Sequence, residues 1–192
     1  MRIGVLALQG DFAEHGAMLK RLGVTVVEVR LPDQLAGLNG LIIPGGESTT
    51  IAKLAVTYGL MEPLCLFAQQ NAIWGTCAGA IFMSRDAHRD QPLLQLMDIT
   101  VERNAFGRQV DSFEIDLDVP ALKEVDLSDK PYHAVFIRAP LIEEVSEAVE
   151  VLARLADGRI VAARQNKLLA TSFHPELTAD DRFHRYFLQL AA

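Results

Sequence analysis

The sequence of 192 residues predicts an α/β fold, with a mostly parallel, doubly wound sheet flanked by helices and an antiparallel strand extension in the second half. In the first half, short apolar runs alternate with helical patterns, which is the order that produces a parallel sheet. From about residue 96, polar and apolar residues alternate, which is typical of antiparallel strands with one wet face. The length fits a single domain over residues 1–192.

The first half of the chain contains four predicted strands separated by helices. Each strand is a short apolar or β-branched run that ends at or near glycine, proline or a charged residue. The strands are predicted at 2–8, 24–29, 40–43 and 72–74. The helices are predicted at 12–22, 48–58, 61–70 and 78–83, with Gly23 as a C-cap and Ser48, Thr49 and Thr50 as an N-cap cluster.

The second half is predicted to be mainly β. A polar loop at 86–94 comes first, and a hairpin is centred on Asp157-Gly158, a favoured turn dipeptide. The last strand delivers His174, and a helix over 179–190 closes the chain. The strands are predicted at 99–102, 110–117, 132–137, 149–155, 159–163 and 168–173.

Composition excludes several classes of function. The formal net charge is −7 at pH 7, which argues against nucleic acid as a partner, because phosphate binding needs a clustered basic face. No apolar run is long enough to span a membrane. Cys65 and Cys77 make a poor disulfide framework, so a reducing cytoplasm is the expected location. No cluster with metal-ligand spacing occurs, and neither a metal nor a cofactor is expected.

Cys77 is the candidate nucleophile. It lies between a short apolar run and a predicted helix, with Gly75 and Gly79 two places to each side. This is the nucleophile-elbow pattern, with sulfur in place of the serine oxygen, and the glycines let strand and helix approach closely. A helix that begins directly after the cysteine favours its thiolate. The alternative is a small buried core cysteine.

His174 is the candidate base, and Glu176 its partner. His174 ends an apolar strand, and a carboxylate two residues further along can reach back to Nδ1–H, which leaves Nε2 free to face the sulfur. The alternative is a histidine at a strand end beside a surface glutamate. The other histidines are interpreted as surface or core residues: His15, His88, His133 and His184.

Oxyanion stabilisation needs N–H donors close to the nucleophile. The N–H of Ala78 is one candidate, and the turn at Gly45-Gly46 can supply another. Glu47 and Ser48 could then hold a polar substrate. A plain turn is the alternative for this segment. Ligands of open α/β sheets bind outside the carboxyl ends of the strands, which is where Gln9-Gly10, Gly45–Glu47 and Cys77 all fall.

These residues resemble a known family. Gly75–Gly79 with His174-Pro175-Glu176 is similar to the class I glutamine amidotransferases. Further blocks resemble the glutaminase subunits of glutamine-dependent pyridoxal 5′-phosphate synthase, and the resemblance extends over nearly the whole chain. These blocks are Leu8–Gly10 with Glu14-His15, Pro44–Thr50, Glu102–Phe113, Phe136–Pro140 and Ser172–Leu177.

The resemblance implies a substrate, a partner and a set of roles. The substrate is L-glutamine, which is hydrolysed to glutamate and ammonia through a γ-glutamyl thioester. The ammonia passes to a synthase subunit, a (β/α)8 barrel that makes pyridoxal 5′-phosphate. By the family pattern, the residues that contact glutamine are Gly46, Glu47, Ser48, Arg103, Ile137 and Arg138. For the two arginines the alternative is an ordinary exposed surface residue.

Two other functions stay open at this point. The chain could be a non-catalytic regulatory module that binds the partner, although all three members of the predicted triad are present. It could also be a cysteine hydrolase of another substrate, such as a peptidase, because fold alone does not fix function. For the glutaminase we expect low activity of the isolated chain and activation when the partner reorganises the Gln9-Gly10 or Gly45-Gly46 loop.

Overall fold

The computed structural model describes residues 1–103 and 112–192. It confirms the predicted α/β class. Within these residues ten strands form one curved sheet, and two more form a small antiparallel sheet. The predictions that fall on residues 104–111, including most of the block Glu102–Phe113, lie outside the described residues.

The strands of the large sheet divide into a parallel half and an antiparallel half. The order is β2-β1-β3-β4-β12-β11-β9-β6-β5, with β10 paired to β11. The pairs from β2 to β12 are parallel and those from β12 to β6 are antiparallel, while the edge strand β5 pairs in parallel with β6. The strands are β1 Arg2–Leu6, β2 Thr25–Val29, β3 Gly40–Ile43, β4 Ala72–Thr76, β5 Ser84–Asp86, β6 Met97–Glu102, β7 Ser112–Leu117, β8 Tyr132–Ile137, β9 Leu141–Val145, β10 Glu150–Arg154, β11 Ile160–Gln165 and β12 Leu168–Thr171.

Helices cover both faces of the sheet. They are α1 Phe12–Arg21, α2 Ser48–Thr57, α3 Met61–Ala68, α4 Ala78–Met83 and α5 Arg182–Leu190, with 3₁₀ turns at Pro32–Leu35, Pro120–Glu124 and Pro175–Leu177. No single helix among the described residues is long and apolar enough to cross a membrane. The α2–α3 pair passes that test by length and composition together, but it is bent by 101°.

Several predicted boundaries were wrong for identifiable reasons. The N-cap of α2 is Glu47, whose carboxylate accepts from Thr49 N–H at 3.4 Å, so Ser48 is already inside the helix. The last helix begins at Arg182 because Asp180 accepts hydrogen bonds from the Arg182 backbone and guanidinium in the preceding turn. Strand β9 was not predicted, because Glu143 and Glu144 interrupt its apolar pattern.

Two apolar layers lie on opposite faces of the sheet. One layer packs β3 and β4 against α2, α3 and α4. The other packs them against α5 and the small sheet β7–β8 through a cluster of rings around Trp74. Trp74 is fully buried and its indole N–H donates to Thr171 Oγ1 at 3.1 Å, so β4 and β12 are also joined by side chains. Such fully buried aromatic residues make the position of β4 rigid.

The carboxyl ends of β1, β3, β4 and β12 meet at one edge of the sheet. The segments that follow them are Gln9–Asp11, Pro44–Glu47, Cys77 and Ser172–His174. The strand order reverses at β1, because β2 lies on one side of it and β3 on the other, and such a reversal opens a crevice at this edge. The fold therefore brings together the three motifs that the sequence placed at strand ends.

Replacement of Gly79 by alanine tests the packing behind Cys77. A Cβ at this position would lie 2.0 Å from the Ile43 carbonyl oxygen, which is backbone and cannot rotate away. We expect Gly79→Ala to lower the free energy of unfolding by about 1–3 kcal/mol in urea denaturation, the usual cost of overpacking.

Gly16→Ala is the matched control. Gly16 is a buried helical glycine whose added Cβ would meet only Val26 Cγ1, at an ordinary 3.7 Å. We expect it to be neutral or to stabilise by about 0.4–1 kcal/mol. Equal effects of the two substitutions would contradict the packing described for α4.

Candidate active site

Cys77 occupies a strained backbone turn between β4 and α4. Its φ is 47° and its ψ is −105°, a conformation that non-glycine residues rarely adopt. The turn is held from both sides: Cys77 N–H donates to Thr171 O at 2.8 Å, and Cys77 O accepts from Ala80 N–H at 3.1 Å. The predicted nucleophile elbow is therefore present, and the thiol is a free cysteine with 6% of its surface exposed.

His174 and Glu176 form the predicted pair just after β12. His174 Nδ1 lies 2.7 Å from Glu176 Oε1, and both side chains are buried. Asp11 Oδ2 lies 3.4 Å from the same nitrogen. The His174 backbone N–H donates to Val135 O at 2.8 Å, so β8 fixes the histidine from behind. Both oxygens close to Nδ1 are acceptors, which assigns the proton to this nitrogen and leaves Nε2 for the neighbouring Cys77 side chain.

The electrostatics of the pair favour a charged imidazolium and a charged carboxylate. Burial by itself lowers the pKa of His174, but Asp11, the Cys77 thiol and Glu176 outweigh burial and raise the pKa well above its ordinary value. Burial likewise raises the pKa of the Glu176 carboxyl, but His15 and His174 outweigh it and hold that pKa well below its usual range. Each charge stabilises the other.

Cys77 and His174 line one cavity of about 430 Å³. Its size is within the range of small-molecule sites. The cavity also contains every other residue assigned from the sequence to the oxyanion site or to the substrate: Gly46, Glu47, Ser48, Ala78, Arg103, Ile137 and Arg138. The cavity is also lined by residues to which the sequence analysis assigned no role in the oxyanion site or in substrate binding: Gln9, Gly10, Asp11, Ile81 and Leu177.

The Gly45-Gly46 turn packs directly against the histidine. A Cβ on Gly45 would lie 2.6 Å from His174 Cε1, so only glycine allows this approach. Gly46 has φ 147°, and a Cβ there would lie 2.5 Å from Gln9 Oε1. The same Gln9 oxygen accepts from Glu47 N–H at 2.7 Å. Gln9 therefore holds the turn after β3 in place from the end of β1.

Arg103 crosses the cavity to Glu47. Its Nη2 lies 2.7 Å from Glu47 Oε1, and the arginine side chain is 15% exposed whereas the glutamate is half exposed. Burial would raise the pKa of Glu47, but hydrogen bonds from Thr49 and Arg103 lower it. A partly buried guanidinium beside an accessible carboxylate suits a zwitterionic ligand, which offers one group of each sign.

Ala78, Ile137 and Arg138 complete the wall of the cavity. Ala78 is the first residue of α4, so its N–H has no acceptor within the helix. Ile137 ends β8, and Arg138 follows with φ 42°, a left-handed conformation for a non-glycine residue. The strained backbone at Arg138 turns the chain at the rim of the site, where both residues are exposed.

Gln91 was missed by sequence reasoning. It lies in the segment predicted as a polar loop, yet its Oε1 is 3.4 Å from Ser48 Oγ and 3.5 Å from Arg103 Nη1. No periodicity or motif marks this residue, so the sequence carried no signal for it. Asp11 could have been found, since it directly follows the Gln9-Gly10 strand end.

Asp11, His174 and Glu176 also have the composition of a metal site. One ligand atom from each lies within 4.8 Å of the others. The hydrogen bond between His174 Nδ1 and Glu176 Oε1 already explains why these atoms are close, because it places the ring proton between them. The arrangement therefore fits an acid–base relay better than a cation site.

Comparison with known proteins identifies the family. Residues 5–191 match the SNO glutamine amidotransferase family. The chain belongs to this family. Two relatives, each named pyridoxal 5′-phosphate synthase subunit PdxT, align with this amidotransferase over almost its whole length. The relative from Herpetosiphon aurantiacus is 60% identical and the alignment covers 99% of this chain and 100% of the relative. The relative from Dehalococcoides mccartyi is 59% identical, with 100% and 97% covered.

A solved structure gives the same family relationship. It is described as a crystal structure of glutamine amidotransferase, is 53% identical, and superposes with a TM-score of 0.91 over 98% of both chains. The family resemblance inferred from the sequence motifs is thus confirmed.

Glu176→Gln tests the relay of this amidotransferase. Loss of the carboxylate removes a charge that holds the proton on His174, so the imidazolium should deprotonate at lower pH. We expect kcat/KM for glutamine to fall at least about 100-fold and its alkaline limb to move to lower pH. The measurement is a pH–rate profile of glutamate release.

The control for that profile is Glu143→Gln. Glu143 makes a similarly short contact, 2.6 Å from His88 Nε2, but this pair is exposed on the surface and does not line the cavity. The Glu143→Gln substitution should leave the pH–rate profile unchanged. An alkaline limb that stays in place in Glu176→Gln would show that Glu176 does not control the charge of His174.

Proposed function

We propose that this chain hydrolyses L-glutamine to L-glutamate and ammonia with a triad of Cys77, His174 and Glu176. The observation that carries the proposal is the strained elbow at Cys77, whose thiol shares a cavity with a histidine already hydrogen-bonded to a buried carboxylate. This is the arrangement of an activated nucleophile: nucleophile, base and a third group that orients the base.

The substrate-binding residues are proposed from their positions around the cavity. Arg103, with Arg138 at the rim, would pair with the α-carboxylate of glutamine, and Glu47 would accept from its α-ammonium group. Gly46, Ser48 and Ile137 line the remaining wall. The amide end of the substrate would then point toward the sulfur. In the absence of ligand, Arg103 and Glu47 neutralise each other, so substrate would exchange one ion pair for two.

The mechanism follows from these positions. The Cys77 thiolate attacks the side-chain amide of glutamine, and N–H groups of Ala78 and Gly46 stabilise the oxyanion. His174, as imidazolium, donates its Nε2 proton to the departing ammonia. Water, deprotonated by the neutral histidine, then cleaves the γ-glutamyl thioester and releases glutamate. Neither step calls for a metal ion or a cofactor.

The names of the relatives indicate where the ammonia goes. We infer that this chain is the glutaminase subunit of a pyridoxal 5′-phosphate synthase and passes ammonia to a synthase subunit, a (β/α)8 barrel. Both cysteines are free thiols, which agrees with work in a reducing cytoplasm. A regulatory module without turnover would not need the strained elbow, and a peptidase would not need Arg103 and Glu47 at the same cavity.

Cys77→Ala is the direct test of the proposed nucleophile. With the synthase subunit present, this variant should release no measurable glutamate or ammonia from glutamine, because the covalent step is lost. Cys65→Ala is the matched control, since Cys65 is a half-buried thiol on α3 that does not line the cavity, and it should retain activity. Glutamate release by Cys77→Ala would contradict the proposal, as would cleavage of peptides by a wild-type chain that leaves glutamine intact.

Partner dependence is the second test of the function. Gln9 and Glu47 lock the two loops that border the oxyanion site, and we expect docking of the synthase subunit to reorganise them. Glutamate release by the isolated chain should therefore be low and should rise when the synthase subunit is added. Equal turnover with and without the partner would refute this regulation.

A further inference from the structure

Two buried histidines lie behind the triad, on the side away from the cavity. His15 is on α1 and His184 is on α5, and both have no exposed surface. Neither takes part in the mechanism above. A buried polar group without a hydrogen-bond partner lowers stability, so the contacts that these two histidines make need an explanation.

The two side chains extend the relay through hydrogen-bond distances. His15 Nε2 lies 3.2 Å from Glu176 Oε2, the oxygen that His174 does not use. The same nitrogen is 3.2 Å from Thr76 Oγ1, one residue before the nucleophile. On the other edge of the ring, His15 Nδ1 lies 3.0 Å from His184 Nε2. His184, His15, Glu176 and His174 therefore form one continuous buried chain.

The described residues around His15 and His184 include an aromatic ring and charged groups of both signs. Trp74 of β4 packs edge-on against both imidazoles, with ring centroids 5.6 Å from His15 and 5.0 Å from His184. Burial lowers the pKa of His184 well below its ordinary value, and the positive charge of Arg21, on α1, acts in the same direction. Glu176 is the negative charge in direct contact with the pair, whereas Asp11 contacts His174. His184 is therefore a neutral imidazole.

The position of the protons follows from the partners. A lone pair on His15 Nε2 would face the Glu176 carboxylate and be repelled, so Nε2 carries a proton. Among the described residues His184 Nδ1 has no hydrogen-bond partner, and a buried lone pair without a partner costs less than a buried N–H without one. We therefore assign the second proton to His184 Nε2, which donates it to His15 Nδ1.

We propose that His15 is a positioning residue for glutamine hydrolysis, which holds the second oxygen of Glu176 while His184 fixes the tautomer of His15. The proposal rests on the proposed glutaminase function and adds a part to it. His174 is hydrogen-bonded to one oxygen of Glu176, and His15 Nε2 lies at ion-pair distance, 3.2 Å, from the other. These two contacts restrain the carboxylate and stabilise its buried negative charge. Outer partners of this kind commonly change activity about 10- to 100-fold when removed.

His15→Leu and His15→Gln test the proposal as a pair. Leucine has a similar volume but no N–H, whereas the glutamine amide can still donate to Glu176 Oε2. With the synthase subunit present, we expect His15→Leu to lower kcat for glutamine about 10- to 100-fold, with KM within about twofold of wild type. The alkaline limb of the pH–rate profile of His15→Leu should move to lower pH by about one unit, because a less stabilised Glu176 carboxylate raises the pKa of His174 less. His15→Gln should recover most of both effects.

A second readout separates this proposal from the proposed function. Alkylation of Cys77 by iodoacetamide, followed site by site by mass spectrometry of the full chain, needs neither glutamine nor the partner. We expect His15→Leu to alkylate more slowly than wild type at neutral pH, since fewer thiolate–imidazolium pairs are present. A wild-type chain without glutaminase activity would refute the function, while the alkylation profile would still report on His15.

His133→Leu is the matched control. His133 also lies between two carboxylates, 2.9 Å from Asp116 and 2.8 Å from Glu114, but it is exposed on β8 and does not line the cavity. It should alkylate like wild type.

Two results would overturn the proposal. One is wild-type kcat and pH profile in a folded His15→Leu variant. The other is equal loss in both His15 variants with an unmoved alkaline limb, which would show a structural role alone. If His15→Leu does not fold, His184→Leu decides. The His184→Leu substitution removes the donor to His15 Nδ1 but no contact to Glu176. An alkaline limb of the pH–rate profile that moves to lower pH in this variant supports the proposal, and an unmoved limb refutes it.

Discussion

The site depends on the close packing of helix α4 against strands β3 and β4 directly behind Cys77. Gly75 and Gly79 permit this approach, because a Cβ on either would lie within 2.6 Å of backbone atoms. The tight turn that results holds Cys77 at φ 47° and places it in the wall of the cavity at the sheet edge. Buried aromatic packing around Trp74 holds β4 still, so the strain at Cys77 is maintained by the rest of the fold.

The second requirement is a buried charge with a histidine beside each of its oxygens. Glu176 is 7% exposed, and an isolated carboxylate in such a place would be neutralised by a raised pKa. Imidazole nitrogens close to its two oxygens reverse that tendency. The carboxylate in turn favours the imidazolium of His174 next to the Cys77 thiol. The fold thus keeps the charges of the relay in place before any substrate arrives.

Much of the architecture could be predicted because it depends on local patterns. Apolar runs between helical patterns predict the parallel half of the sheet, and the glycines on either side of Cys77 predict the tight turn at this residue. The contact between His174 and Glu176 was predictable from the position of His174 at a strand end and from the spacing of two residues. Side chains so close along the chain are brought together by the local backbone conformation.

The parts that could not be predicted depend on long-range contacts. Nothing near Gln91 in sequence indicates that it meets Ser48 and Arg103. His15 and His184 are 169 positions apart and were interpreted as surface or core residues. They are core residues, but the contacts of His15 with Glu176 and with His184 arise only when α1 and α5 pack on the same side of the sheet. Strand β9 was missed because its residues alternate poorly, and its pairing with β6 and β11 decides its conformation.

The most direct measurement of the central claim is detection of the covalent intermediate. The chain, with its synthase subunit, is mixed with glutamine, quenched in acid within the turnover time, and digested for mass spectrometry. The account predicts a γ-glutamyl group on the peptide that contains Cys77, and its absence from the peptide that contains Cys65. Rapid glutamate release with no acyl group on Cys77 at any quench time would contradict it.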